Sequence, residues 1–358
     1  NGLKIVLGRR TLFGDAIRDL RHRLQEGALT SGDGSYRTAD ILADYRSRIA
    51  EDIREERPLE VVVDAGNGIA GPAAVAVLEA LGARVHPLHC EPDGHFPHHH
   101  PDPSRPENLA DLAEAVRHQG ADLGLAFDGD GDRLGVVDDQ GRMVWPDRLL
   151  ALFLPEALAA RPGAAVLFDV KSTGALFDAI AAAGGRPVMT PSGHSLIRAR
   201  METEGAVLAG ELTGHLFLAD RWFGFDDALY AAARILELVA RAPTTAAVLG
   251  EPGDCVATPE IHLPVAREHG QAVIASLRSA VPPLGASATT VDGLRLDFPR
   301  GWGLIRLSNT ADALVLRFEA ADVAELAAQR EHLQRLLATV DGPLAEALSA
   351  ANLLGGMS

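Results

Sequence analysis

Cysteine is nearly absent from this chain of 358 residues: Cys90 and Cys255 stand far apart, without metal-ligand spacing. A disulfide scaffold is thereby excluded, and a reducing compartment is expected. Basic residues are also in deficit, with 33 Lys plus Arg against 49 Asp plus Glu and a formal net charge of −16. Such a field opposes nucleic-acid and anionic-membrane partners, so an anionic substrate would need a local basic pocket. No apolar run is long enough to span a bilayer, and no basic-then-apolar leader opens the chain. The expectation is a soluble, cytoplasmic protein. Hydrophobic content of 47% with 23% charged residues is ordinary for a globular fold, and the length suffices for two or three domains with buried cores.

What the chain does have is AFDGDGDRLGV, which sets Asp128, Asp130 and Asp132 at alternate positions, separated by Gly129 and Gly131 and followed by Arg133. Crowded carboxylates repel unless something positive holds them, and hard divalent cations take oxygen ligands of this kind. A Mg²⁺-type site is the first reading. ADLGLAF before the loop and LGVVDD after it read as short buried strands, so the loop leaves a strand end. A calcium EF-hand is the rival, since the same aspartates match its first ligand positions and Asp139 its last. It requires Gly where Arg133 stands, and helices on both sides. A solvated acidic turn is the third reading.

Around this loop the chain repeats an α/β grammar. LEVVVDAGNGIAGP (59–72) is a strand entering a Gly-rich turn, AAVAVLEALG a helix ending near Gly82, and ARVHPLH a second strand. AAVLFDVKSTGALFDAIAAAGG (164–185) repeats the pattern. LGLAFDGDGDR and AVLAGELTGH each run from an apolar strand into an acidic, Gly-containing loop. Two related α/β domains with mixed or mostly parallel sheets follow. The last hundred residues are β-rich, with a hairpin signal at Asp292-Gly293 and helical patterns at 268–279 and 321–338. They read as an α+β domain with an antiparallel sheet, reached through the loop-like stretch 241–254. KIVLG and GDAIRDLRHRLQEG, a strand and a helix at the start, are too small to form a domain.

Three further stretches could carry chemistry. GELTGH (210–215) gathers a carboxylate, a hydroxyl and an imidazole on one turn, suited to sugar hydroxyls or proton transfer, though Glu and His in a loop are often plain surface residues. RLSNT (306–310) offers an Arg, hydroxyls and an amide beside a turn, either a phosphate cradle or ordinary turn chemistry. PHHHPDP (97–103) has the composition of a metal cluster, but its adjacent histidines lack helical ligand spacing, and a structural Pro-rich loop is favoured.

The order DGDGDR, GHS, GExxGH, RxSNT and LVLRFE, together with PDGHFPHHHPDPSRPENL and RWFGFDDALYAAARILE, resembles the α-D-phosphohexomutase superfamily over essentially the whole chain. Within it the resemblance is greatest to the bacterial bifunctional phosphomannomutase/phosphoglucomutases. It implies interconversion of hexose 1-phosphate and 6-phosphate through a phosphoserine and a glucose 1,6-bisphosphate-type intermediate, by a monomer acting on small phosphosugars. Residue by residue, Asp128, Asp130 and Asp132 would bind Mg²⁺, while Lys4, Arg133, His194 and His215 would be catalytic. Arg133 would neutralise the moving phosphoryl group, and Lys4 with His215 would be the candidate proton-transfer pair. Glu211 and Thr213 would hydrogen-bond the sugar, with Thr where these enzymes usually carry Ser. Lys171 and the Gly193-His194-Ser195 turn would line the sugar pocket. Arg306, Ser308, Asn309 and Thr310 would grip the non-reacting phosphate. The implied organisation is 1–39 as the remnant of a phosphoserine domain, 40–142 for metal, 143–254 for sugar and 255–358 for phosphate. The family's Thr-x-Ser-His-Asn-Pro type motif does not occur in the sequence, so most of a first domain is expected to be missing and the chain by itself inactive. Two other functions stay open: an inactive phosphosugar-binding or regulatory protein, and a phosphoglucosamine mutase.

Overall fold

A computed structural model describes residues 5–8, 10–54, 57–250, 255–279, 285–309 and 311–351. The expectations for Lys4 and Thr310 fall outside these residues. The chain divides into two units: Asn1–Pro146, His194–Ala209 and Thr213–Leu249 form the first, and Asp147–Gly193, Gly210–Leu212 and Gly250–Ser358 the second.

In the first unit, the β-branched run Val61-Val62-Val63 cannot face water on either side, and the strand Glu60–Asp64 accordingly lies inside a sheet. It pairs in parallel with Arg84–Leu88 on one edge and Leu123–Phe127 on the other. Leu134–Val137 and Met143–Val144 complete five strands, both running antiparallel to their neighbours. The crossover helix Gly71–Ala80 starts on Pro72, whose missing N–H costs nothing in a first turn. Helix Ala110–Gln119 lays Leu112 and Val116 on the sheet against Val62, Ala126 and Val137. Each such fully buried side chain stabilises by about 1.5–3 kcal/mol. The acidic loop therefore joins two antiparallel strands, which rules out the EF-hand. Helix Ala228–Arg241 begins at Asp227, whose carboxylate accepts the Tyr230 N–H. Helix Asp15–Gln25, near the start of the chain, buries none of its residues.

In the second unit, Ala165–Asp169, helix Ala175–Ala182 and Arg186–Thr190 form another parallel β-α-β. Its register, Asp169 opposite Thr190, parallels that of Asp64 opposite Leu88, and both strands end on a fully buried aspartate. The remainder is an antiparallel sheet in the order Val256–Ala257, Ala313–Ala320, Gly301–Leu307, Leu294–Phe298, Ser287–Thr289, with Ile261–Pro264 also on Ala313–Ala320. Helices Arg267–Arg278 and Val323–Ala338 bury Leu277, Leu326 and Leu333 in its core. Asp292-Gly293 does sit in a hairpin connection. The stretch read as loop, 241–254, contains a helical turn, Ala246–Leu249, and its residues 251–254 lie outside those described. No helix among the described residues is long and apolar enough to cross a membrane.

Candidate functional site

The acidic loop folds around one of its own carboxylates. Asp128 Oδ1 accepts the backbone N–H groups of Gly131, Asp132 and Arg133, each at 3.0 Å, and Oδ2 accepts Arg133 Nε at 2.8 Å. Gly131 makes the turn possible: its φ is +81°, and a Cβ there would lie 2.8 Å from that of Ala70. One ligand atom from each of Asp128, Asp130 and Asp132 falls within a mutual 4.8 Å. Burial pushes the Asp128 carboxyl up and the charge of Asp132 adds to it, outweighing Arg133. An all-oxygen donor set under mutual repulsion fits a hard divalent cation.

Arg133 is clamped at both ends of its fork. Besides Asp128, its Nη1 donates to Asp102 Oδ1 at 2.9 Å, and Asp102 is itself fixed by the Ser104 hydroxyl at 2.7 Å. Burial opposes ionisation of Asp102, but Ser104 and Arg133 prevail and hold its carboxyl below the usual range. Asp102 belongs to the Pro-rich loop, in which His98 and His99 are engaged by neighbouring side chains. His99 Nε2 meets Asp64 Oδ2 at 2.9 Å, His98 Nδ1 meets Asn67 Oδ1 at 2.7 Å, and His98 stacks on His89 at 3.7 Å. These contacts support the structural reading of PHHHPDP over the metal cluster.

The GELTGH turn delivers its last residues to the acidic loop. Gly214 O accepts the Leu134 N–H at 3.0 Å, a backbone bridge joins His215 to Arg133, and His215 Nε2 lies 3.2 Å from Asp132 Oδ1. Thr213 Oγ1 is 3.3 Å from His215 Nδ1. The approach needs glycine, because a Cβ on Gly214, at φ +106°, would stand 2.9 Å from Leu134 O. Gly214→Ala is therefore expected to destabilise by about 1–3 kcal/mol, read as a lower urea midpoint. An unchanged midpoint would mean that the turn is not held against the strand. His194 opens the helix His194–Glu204 with its ring 5.5 Å from that of His215. His194 and Ser195 line a cavity of about 560 Å³ with Arg198, Phe223, Phe225 and Asp226.

In the second unit the remaining candidates converge. Lys171, buried, pairs with Glu260 at 2.9 Å and lies 3.9 Å from Asp169. Desolvation works against its charge, yet Glu260 and Asp169 raise it above the ordinary lysine value. Burial likewise opposes Glu260, but Lys171 holds it low. Glu260 thus contributes stability that is present above the ordinary Glu pKa of about 4.3 and lost as pH falls through its lower folded value. The stability difference between the wild type and Glu260→Gln should accordingly be full at neutral pH and shrink below about pH 4.3. A difference that does not change with pH would remove the ion pair from the account. Glu211 accepts the Gly193 N–H at 2.6 Å, and Asp169 accepts the Ser192 hydroxyl at 2.7 Å. Asn309 Nδ2 donates to Ser192 O at 3.0 Å, and the Ser308 hydroxyl accepts the Ala311 N–H at 3.1 Å. Arg306 donates from Nε to Asp292 at 2.8 Å, while its buried Nη2 has no hydrogen-bond partner among the described residues. A buried guanidinium with an unused donor can accept an anion as its partner.

Asp128, Asp130, Asp132, Arg133, His194, Ser195, Thr213 and His215 thus lie in the first unit, and Lys171, Gly193, Glu211, Arg306, Ser308 and Asn309 in the second. Asp102, Asp169, Asp226, Glu260 and Asp292 were not singled out from sequence. Asp102 falls in PHHHPDP, which reads as a Pro-rich loop in preference to a metal cluster, and Asp292 in a hairpin signal. Asp169 ended a strand, and no local signal marked Glu260.

Family models for phosphoglucomutase/phosphomannomutase match three stretches: alpha/beta/alpha domain II at 43–141, alpha/beta/alpha domain III at 145–251 and the C-terminal domain at 260–336. The phosphomannomutase/phosphoglucomutase of Pseudomonas aeruginosa is 48% identical over 346 residues, covering 96% of this chain and 74% of that protein. A phosphoglucomutase of Neisseria gonorrhoeae is 45% identical, covering 89% and 70%. The crystal structure of a phosphoglucomutase/phosphomannomutase family protein from Burkholderia thailandensis superimposes with a TM-score of 0.89 at 44% identity, covering 98% of this chain and 74% of that one. With three family models in register along the chain and relatives near half identity, the chain belongs to the phosphoglucomutase/phosphomannomutase family.

Proposed function

We propose that this protein is a Mg²⁺-dependent hexose-phosphate mutase, interconverting the 1-phosphates and 6-phosphates of glucose and mannose by way of a bisphosphate. The observation that carries the reading is the buried, underused Arg306 guanidinium in a chain that also has an oxygen-only acidic loop bearing its own arginine. The first suits a phosphate that stays, the second a phosphoryl group that moves. Asp128, Asp130 and Asp132 would hold Mg²⁺, whose chemistry there is neutralisation of charge on phosphoryl oxygens. Arg133, locked by Asp128 and Asp102, adds a fixed positive charge that needs no reorganisation during transfer. His215, facing Asp132 and Thr213, accepts or returns the proton of the sugar hydroxyl. Glu211 orients the sugar hydroxyls, Lys171 contributes charge from a buried position, and Arg306, Ser308 and Asn309 retain the non-reacting phosphate. Such chemistry depends on positioning and charge rather than on covalent participation by these side chains.

A metal-binding loop of this kind should also govern stability. Mg²⁺ at a hundred times its dissociation constant is expected to stabilise the protein by about 2.7 kcal/mol, whereas Asp130→Asn should lose that increment and, without metal, be no less stable than the wild type because one repelling charge is gone. Thermal unfolding with and without Mg²⁺ measures both. An increment that survives Asp130→Asn would place the ion elsewhere.

Calorimetric titration with glucose 1-phosphate, mannose 1-phosphate, glucose and inorganic phosphate tests the substrate class. Both sugar phosphates should bind more tightly than either fragment. Equal affinity for inorganic phosphate and the sugar phosphates would remove the sugar from the reading. The passive-binding alternative has no use for a metal loop and a clamped arginine together.

A further inference from the structure

Next to the aspartate loop stands a second group of potential ligands with different chemistry. His194, His215 and Asp226 offer two imidazole nitrogens and a carboxylate oxygen, all within 4.8 Å of one another. Each is carried on an anchored segment. His194 begins a helix, His215 is bridged to Arg133, and Asp226 is bridged to Phe217 directly before the helix cap Asp227. His194 and Asp226 line a cavity of about 560 Å³, so water can reach these two ligands. Ligand type separates the two groups: oxygen-only sites suit Mg²⁺, which avoids imidazole, whereas two histidines and a carboxylate suit zinc-like ions.

We propose that His194, His215 and Asp226 form a second cation site, specific for borderline divalent metals such as Zn²⁺, Co²⁺ or Ni²⁺. The 3.2 Å contact between His215 Nε2 and Asp132 Oδ1 places this site beside the acidic loop. An ion bound there takes a lone pair of His215 and so blocks proton transfer, making the site inhibitory. That consequence, unlike the binding itself, rests on the proposed mutase chemistry.

Co²⁺ is the probe, because nitrogen ligation gives it visible absorption bands. The whole protein, held in excess Mg²⁺, is titrated with Co²⁺ alongside His194→Ala, His194→Gln and Asp130→Asn, with circular dichroism confirming that each variant is folded. One Co²⁺ per chain should bind in the wild type and in Asp130→Asn. Both His194 variants should bind more than about a hundredfold more weakly, beyond the roughly 10–100-fold that loss of an outer-shell partner alone would cost. Co²⁺ bands that survive both His194 substitutions, or that vanish in Asp130→Asn, would overturn the site. Binding that depends on His194 but leaves turnover unchanged would uphold the site and instead remove His215 from proton transfer.

Discussion

Arg133→Met is expected to lower turnover by about three orders of magnitude or more in the protein that carries this chain, with little change in KM. Arginines that neutralise a moving phosphoryl group contribute roughly 10³–10⁵ in rate, and a thousandfold corresponds to about 4 kcal/mol of barrier. The geometry explains why the loss should fall on kcat. Arg133 is held from two sides, at 2.8 Å by Asp128 and at 2.9 Å by Asp102, so its charge is in place before the reaction begins. Lysine keeps the charge but cannot span two carboxylates with one planar fork. Arg133→Lys should therefore recover only part of the rate, and Asp102→Asn, which loosens one side of the clamp, should lie between Arg133→Lys and the wild type. Steady-state kinetics on the three variants checks the order. An Arg133→Met enzyme within threefold of the wild-type kcat would mean that the clamped guanidinium serves only to fold the loop.

Arg306→Ala should act on the other quantity. Its guanidinium is buried, engages Asp292 through Nε and leaves Nη2 unused, and a phosphate that does not react is gripped equally in ground and transition states. Truncating one partner of a buried, hydrogen-bonded charge pair costs about 2–5 kcal/mol, so KM for glucose 1-phosphate should rise roughly thirtyfold to a few thousandfold with kcat nearly unchanged. Arg306→Lys should fall between, since an ammonium supplies charge without the fork. A loss confined to kcat would move Arg306 from the retained phosphate to the reacting one.

The residues legible beforehand are those whose meaning is local. DGDGDR presents three carboxylates and an arginine in six consecutive positions, and the parallel β-α-β units announce themselves through apolar runs that empty into glycine turns. RLSNT reads from sequence as either a phosphate cradle or an ordinary turn; that Arg306 is buried with an unused donor depends on Asp292 across a hairpin. Asp102 went unremarked because its partner Arg133 is 31 residues away and only the folded loop brings them together. The same holds for Glu260, which acquires its role by meeting Lys171 after folding. Sheet order was likewise hidden. That Ala313–Ala320 accepts Val256–Ala257, Ile261–Pro264 and Gly301–Leu307 is a consequence of packing between distant segments, and strand propensity says nothing of it.

The most direct test is conversion itself, followed by phosphorus NMR on glucose 1-phosphate with the protein that carries this chain, primed with glucose 1,6-bisphosphate. Glucose 6-phosphate should accumulate to equilibrium with Mg²⁺ present, stop on chelation and resume when Mg²⁺ is restored. Conversion that proceeds at the same rate after chelation, or no conversion by a protein that still binds glucose 1-phosphate and Mg²⁺, would contradict the assignment.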